Sequence, residues 1–134
     1  TLHDYAEYGE DLLSHWTDWE QNLSNTQSFN GERYVFAGGF RYEGQPIILS
    51  EFGGIAFCKD EKAWGYGNAE TSEGSYLERL NSLTDAIYSM DFISGYCYTQ
   101  LTDVEQEQNG HMDMNRRDKV GAEKIRTIIQ GGRK

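Results

Sequence analysis

The stretch that decides the fold is 45-QPIILSEFGGIAF-57, in which a short apolar run ends on a carboxylate followed by two glycines. Pro46 opens the run, and proline is tolerated at the first residue of a strand because its missing N–H need not join the ladder. Continuous apolar strands are typical of parallel sheets covered on both faces. The stretch therefore predicts a buried parallel strand that ends near Glu51 and bends sharply at Gly53 and Gly54.

Helical and strand-like patterns alternate along the rest of the chain. Apolar residues at spacings of three and four predict an amphipathic helix over residues 10–23. A second helix is predicted to run to about residue 90, behind a capping box formed by Ser75 and Glu78. A strand-like run covers 92–101, and a last helix is predicted near the C-terminus. This alternation predicts an α/β fold with a parallel sheet.

Length and charge limit the possible functions. The chain has 134 residues, which fits one domain, and its 22 acidic and 12 basic residues give a net charge of −10. Nucleic acids and anionic membrane surfaces both attract basic proteins, so neither is a predicted partner. No apolar run approaches the length of about 20 residues that a membrane-spanning helix needs. The sequence leaves localisation open.

The cysteines and histidines give no sign of a metal or cofactor. Cys58 and Cys97 lie in apolar and aromatic surroundings without C-x-x-C spacing. They are predicted to be buried free thiols, with a disulfide as the less favoured alternative. His15 and His111 have no metal-like spacing with other ligands, so no metal site and no cofactor are predicted.

Acidic residues gather at the C-terminal ends of both predicted strands. Glu51 ends the first, and Asp103, Glu105 and Glu107 follow the second. Sheets and barrels of the α/β class place their active sites at this end of the strands. Glu51 is therefore a candidate nucleophile or acid/base, although position alone would equally suit a solvated acid or a helix cap. The three later acids are predicted to form a solvated or hydrogen-bonded loop.

Three separated motifs give a resemblance to a known family. PIILSEFGGIAF (46–57), AWGYG (63–67) and SGYCYTQLTDVEQEQNG (94–110) together resemble the last strands of the barrel domain of glycoside hydrolase family two. This family contains β-galactosidases, β-glucuronidases and β-mannosidases. The resemblance runs from HDY at 3–5 to the final helix, although the segment after residue 110 departs from the family pattern. It implies a partial (β/α)8 TIM barrel, from about strand six or seven to helix eight, so that residues 1–134 form the C-terminal fragment of a catalytic barrel domain.

The resemblance also implies an activity and a set of site residues. In the family, the glutamate at the position of Glu51 is the nucleophile of a retaining β-glycosidase and forms a covalent glycosyl-enzyme. His3 and Tyr5 match a segment whose polar residues reach the sugar. Tyr98 matches an aromatic residue on the floor of the site, with a role in the core as the alternative. Trp64 would line the entrance, or else pack under its own loop.

The second carboxylate of such an enzyme is missing from the motifs. Retaining glycosidases use two carboxyl groups about 5–5.5 Å apart. The family's acid/base glutamate follows an asparagine on an earlier strand, and no Asn-Glu dipeptide occurs in the 134 residues. The resemblance implies that this residue lies upstream and that the chain alone has little or no activity on a β-glycoside. The alternative is a non-catalytic carbohydrate-binding barrel module. A partial barrel would also expose strand edges, which predicts pairing with a second copy of the chain to form a homo-oligomer.

Overall fold

The computed structural model describes residues 1–57 and 62–131. A short 3-10 turn, Ser28–Asn30, accompanies the regular elements. In chain order, these are β1 (Leu2–Asp4), α1 (Gly9–His15), α2 (Trp19–Ser24), β2 (Thr26–Gln27), β3 (Arg33–Tyr34), β4 (Ile47–Gly53), β5 (Ile55–Phe57), β6 (Tyr66–Glu70), α3 (Glu73–Ser89), β7 (Ile93–Thr99) and α4 (Ala122–Ile129).

The main sheet of the described residues has three strands in the order β1-β4-β7, and both pairings are parallel. Its register places His3 beside Glu51, and Phe52 beside Tyr98. Two smaller pairs accompany it, β5 with β6 in parallel and β2 with β3 antiparallel. The predicted α/β class with parallel strands is confirmed. The sheet is open and does not close into a barrel.

The core lies between the main sheet and its helices. The longest helix, α3, packs against α1, α4 and the β5–β6 pair, and its buried residues recur at spacings of three and four. The cluster includes Leu12, Trp16, Leu49, Phe52, Tyr76, Leu80, Leu83, Ile87 and Ile125. Burial of a large apolar side chain contributes about 1.5–3 kcal/mol to folding, so this cluster is a main source of the stability of the fold.

The helix predicted over 10–23 is wrong as a single element, because the chain breaks between α1 and α2. At the break, the Asn22 side chain donates a hydrogen bond to the His15 carbonyl over 2.5 Å. Thr17 Oγ1 donates to the Leu13 carbonyl over 3.1 Å. Side chains that donate hydrogen bonds to backbone carbonyls in this way compete with the backbone hydrogen bonds of a regular helix. Periodicity alone does not show this competition.

The predicted capping box of α3 is also wrong, and the helix begins one turn earlier. Ser72 is the N-cap, and its hydroxyl oxygen accepts a hydrogen bond from the Ser75 backbone N–H over 3.1 Å. Ser75 is thus the third helical residue. Its backbone N–H is one of the donors left free in a first turn, and Ser72 is placed to accept from it.

Cys97 is an exposed free thiol, so the prediction of a buried thiol at this position is wrong. Cys97 lies on β7 between Tyr96 and Tyr98, which both pack against the core. Successive side chains of a strand point to opposite faces, so the residue between the two tyrosines faces away from that core. The prediction for Cys58 lies outside the described residues.

Candidate active site

Glu51 lies at the carboxyl end of the central strand, β4, where β1 runs beside it. The Tyr5 hydroxyl donates a hydrogen bond to Glu51 Oε2, and His3 Nδ1 lies 3.5 Å from the same oxygen. The Glu51 side chain is 40% exposed, so the carboxylate is held by its neighbours and still open to a ligand. Three of the predicted site residues, His3, Tyr5 and Glu51, are therefore brought together.

The carboxylate faces a cleft of about 450 Å³, which is within the usual size of small-molecule sites. His3, Tyr5 and Tyr66 line it beside Glu51, and Arg33 and Tyr34 line it from the β2–β3 pair. Among the described residues that line this cleft, Glu51 is the one carboxylate. A single acid surrounded by aromatic and polar side chains suits a polar, ring-shaped ligand.

Two tyrosine rings form the wall next to Glu51. The rings of Tyr5 and Tyr66 stack with their centroids 3.5 Å apart and an interplanar angle of 8°. Burial, and then the hydrogen bond to Glu51, raise the pKa of Tyr5. Tyr5 therefore stays a protonated donor to the carboxylate at neutral pH. Tyr66 was missed by sequence reasoning, although it lies in the AWGYG motif two residues after Trp64.

Trp64 lies one ring further from the carboxylate. Its side chain is 48% exposed, and its ring meets that of Tyr66 edge to face at 6.0 Å between centroids. The Trp64 backbone N–H donates to the Gln106 carbonyl over 2.8 Å, and the Gln108 N–H donates to the Trp64 carbonyl over 3.0 Å. Trp64 is therefore fixed to the loop after β7, behind Tyr66 and outside the set of residues that line the cleft.

Tyr98 lies below the glycine turn, away from the cleft. Its hydroxyl accepts a hydrogen bond from the Ile55 backbone N–H over 3.1 Å and donates to the Asn109 carbonyl over 3.2 Å. Its ring stacks on His111 with centroids 4.0 Å apart. Burial raises the pKa of Tyr98 to about 12. The structure thus places Tyr98 as support under Gly53, and it does not bring Tyr98 to Glu51.

The acids that follow β7 take part in a hydrogen-bonded loop, as predicted. Asp103 is buried and accepts from Lys119 Nζ and from the Gly110 backbone N–H, each over 2.8 Å. Glu107 accepts from the amide of Asn109 over 3.1 Å. Because the Asn109 carbonyl also accepts a hydrogen bond from the Tyr98 hydroxyl, this loop holds Tyr98 in place next to Gly53.

Within 1–57 and 62–131, no group of three or more His, Cys, Asp or Glu side chains is arranged to hold a metal ion. None of the helices in those ranges combines the length and the apolar character needed to cross a bilayer.

No protein-family model matches the chain, and no curated protein matches it. The resemblance to glycoside hydrolase family two consequently depends on the three sequence motifs alone.

His111, whose ring stacks on that of Tyr98, makes the stability of the fold depend on pH. Its Nδ1 lies 2.8 Å from the Tyr76 hydroxyl, and burial, followed by the charge of Lys119, lowers its pKa to about 4. An unfolded histidine has a pKa of about 6.5, so between these values the unfolded state binds the extra proton and stability falls as the pH falls. We expect the free energy of unfolding to drop by about 2 kcal/mol from this group between about pH 7 and pH 4.5.

Urea unfolding of the wild type and His111→Gln at the two pH values measures this contribution. Other groups titrate in both proteins, so the difference between their pH slopes isolates His111. Equal slopes for the wild type and His111→Gln would contradict a neutral, buried His111.

Proposed function

We propose that this chain is the nucleophile-bearing part of the catalytic barrel of a retaining β-glycosidase, with Glu51 as the nucleophile. The observation that carries the proposal is the Glu51 carboxylate at the carboxyl end of the central parallel strand, held by the Tyr5 hydroxyl and open to an aromatic cleft. Parallel α/β sheets place catalytic groups at this end. A fixed, ionised carboxylate is what attack on an anomeric carbon requires.

The proposed chemistry has two steps. Glu51 attacks the anomeric carbon, the bond from that carbon to the glycosidic oxygen breaks, and the departing oxygen takes a proton from a second carboxylic acid. Water then attacks the anomeric carbon of the glycosyl ester, and one of its protons goes to the second carboxylate. The bond from that carbon to the Glu51 oxygen breaks, so the sugar leaves with retained configuration and Glu51 is free again. The hydrogen bond from Tyr5 orients one carboxylate oxygen, while the other remains available to the sugar.

The element order supports a partial barrel. Each strand of the main sheet is followed along the chain by one or more helices, α1 and α2 after β1, α3 after β4 and α4 after β7, and the three strands are parallel. The short strands β2 and β3 come before β4, and β5 and β6 come between β4 and α3. Repeated βα units with parallel strands are the building units of a (β/α)8 barrel, which takes about 250 residues in full. In the proposal, the remaining strands pair with the edges at β1 and β7 and supply the acid/base. In the isolated chain, a second copy would pair there instead.

A non-catalytic carbohydrate-binding module is the second candidate. The observation that favours it is that Glu51 is the one carboxylate among the described residues lining the cleft, whereas retaining hydrolysis needs two. The two candidates differ in whether Glu51 forms a covalent bond to the sugar. A covalent-labelling experiment therefore separates them.

The test is labelling with 2-deoxy-2-fluoro-β-glycosyl fluorides of the galactose, glucose, mannose and glucuronic acid series. The bond from the anomeric carbon to fluorine breaks, fluoride leaves without needing a proton, and the Glu51 ester forms. The 2-fluorine slows hydrolysis of this ester because it destabilises the oxocarbenium-like transition state. The full polypeptide in which this chain lies is labelled, with the 134-residue chain beside it.

We expect one sugar per polypeptide on the peptide that contains Glu51, found by mass spectrometry, and the reactive sugar then names the substrate class. Binding of a glycoside without any label would support the binding module. A label on another carboxylate would overturn the assignment of Glu51.

A further inference from the structure

Arg79 is a fully buried cation on α3. Its residue exposure is 1%, and its side chain has none. An arginine is costly to bury unless its charge is balanced and its N–H groups are bonded. The Glu70 and Glu7 carboxylates lie 3.5 and 3.9 Å from Nη1 and balance the charge. A side chain held at this cost is a candidate for a specific role.

The guanidinium group of Arg79 joins two separate segments of backbone. Its Nε donates to the Glu7 carbonyl over 2.8 Å. Its Nη2 donates to the Tyr66 carbonyl over 2.8 Å, and its Nη1 donates to the Asn68 carbonyl over 2.7 Å. One side chain thus fixes the backbone just after β1 to the backbone of β6.

The Glu7 side chain makes a second tie between the same two segments. Its carboxylate accepts from the Asn68 backbone N–H over 3.1 Å and from the Asn68 amide over 2.8 Å. The backbone hydrogen bond from Asn68 is the main cause that holds the pKa of Glu7 below its usual range. The close approach of Arg79 requires Gly67, where an added Cβ would lie 2.4 Å from Nη2.

The two joined segments carry the two stacked rings next to Glu51. Tyr5 lies two residues before Glu7, and Tyr66 is itself bonded through its carbonyl to Arg79. The rings can stack at 3.5 Å only while these backbones keep their separation. Since the Tyr5 hydroxyl is the donor to Glu51, the position of the carboxylate depends on the same separation.

We propose that Arg79 is a positioning residue for the nucleophile, acting through the Tyr5–Tyr66 stack. The inference rests on the proposed function, because it gives Arg79 a role in the reaction of Glu51. Arginine suits this role and lysine does not, because three N–H groups in a planar fork reach three fixed carbonyls, whereas an ammonium group is a point charge on a flexible stem.

The test is a double-mutant cycle in the full polypeptide with Arg79→Lys, Tyr5→Phe and the combined variant. The readout is the rate of covalent labelling of Glu51 by the reactive 2-deoxy-2-fluoro-β-glycosyl fluoride, with thermal unfolding measured beside it. Misplacement of a reacting group by about 1 Å can cost about a hundredfold in rate. We expect Arg79→Lys to slow labelling by about 10- to 100-fold and the combined variant to be no slower than Tyr5→Phe alone. Arg126→Lys on the exposed face of α4 is the control and should label at the wild-type rate.

The cycle separates positioning from a purely structural role. If Arg79 only stabilises α3, Arg79→Lys slows labelling by the same factor with Tyr5 and with Phe at that position, and the proposal is overturned. If Arg79→Lys does not fold, Glu7→Gln replaces it, since this variant weakens the second tie and keeps the carbonyl that Arg79 binds. A slowing by Glu7→Gln that disappears with Tyr5→Phe supports the proposal, and one that persists overturns it. Failure of the wild type to label overturns the proposed function instead.

Discussion

On the proposed function, replacing Glu51 with glutamine in the full polypeptide is expected to lower the turnover of an aryl β-glycoside by about four orders of magnitude. The amide keeps the shape of the carboxylate, and its oxygen can still accept the hydrogen bond from Tyr5. A neutral amide is a poor nucleophile and cannot balance the positive charge that develops on the sugar. The loss should therefore appear in kcat rather than in substrate binding, and steady-state kinetics with a panel of 4-nitrophenyl β-glycosides measures it.

Two further variants sharpen this test. Glu105→Gln is the matched control, since Glu105 is an exposed acid after β7 and its replacement should leave the rate unchanged. Glu51→Ala with added azide and a dinitrophenyl β-glycoside should form the α-glycosyl azide, because the anion attacks from the side that the carboxylate has vacated. An intact rate in Glu51→Gln would make Glu51 only a solvated acid at the end of a strand, and the assignment to a retaining glycosidase would fail.

Two strands of the main sheet, β4 and β7, were predictable because their signals are local. The apolar run of β4 and the aromatic, β-branched run of β7 were both placed from composition, and the structure has them at Ile47–Gly53 and Ile93–Thr99. The helix starts were less predictable. The break after α1 and the cap at Ser72 depend on which side chain forms a hydrogen bond with which backbone group. Several nearby polar residues could form the same kind of bond, so the sequence does not single one out.

The meeting of His3, Tyr5 and Glu51 follows from topology. Glu51 is 46 residues from Tyr5 in the chain, yet parallel neighbouring strands bring their carboxyl ends to one edge of a sheet. The sequence pattern predicted a parallel sheet but no strand at residues 2–4, and the family resemblance alone placed His3 and Tyr5 near Glu51. Tyr98 also ends a strand, but its register with Phe52 turns its ring to the core. Register was the information that the sequence pattern lacked.

Tyr66 and Arg79 could not be found in the same way. Tyr66 reaches the cleft because β6 pairs with β5. The sequence before β6 is polar and contains glycine, so it does not predict that a strand follows. Arg79 lies in the stretch LERLN, where a charged residue on a helix is ordinarily taken as solvent-facing. Its partners are backbone carbonyls of distant segments. Every residue has such a carbonyl, so the residue types do not show which ones bind Arg79.

Replacing Gly53 with alanine is expected to lower the free energy of unfolding by about 2–5 kcal/mol. Gly53 has a φ of +80°, a region that L side chains rarely adopt, and an added Cβ would lie 2.4 Å from Cε2 of Tyr98. The ring cannot retreat easily, because its hydroxyl is bonded on both sides and its face stacks on His111. Backbone strain and overpacking therefore add, and urea unfolding followed by tryptophan fluorescence measures their sum.

Gly39→Ala separates the two costs. Gly39 has a φ of +89° and no atom within 4 Å of an added Cβ, so its replacement introduces backbone strain alone and should cost about 1 kcal/mol. Tyr98→Leu combined with Gly53→Ala should lose less stability than the sum of the two single changes, because the clashing ring is gone. Equal losses for Gly53→Ala and Gly39→Ala would mean that the Tyr98 ring moves aside freely. In that case the sharp turn after Glu51 would need glycine only for its backbone conformation, and Tyr98 would not fix the end of the strand that carries the carboxylate.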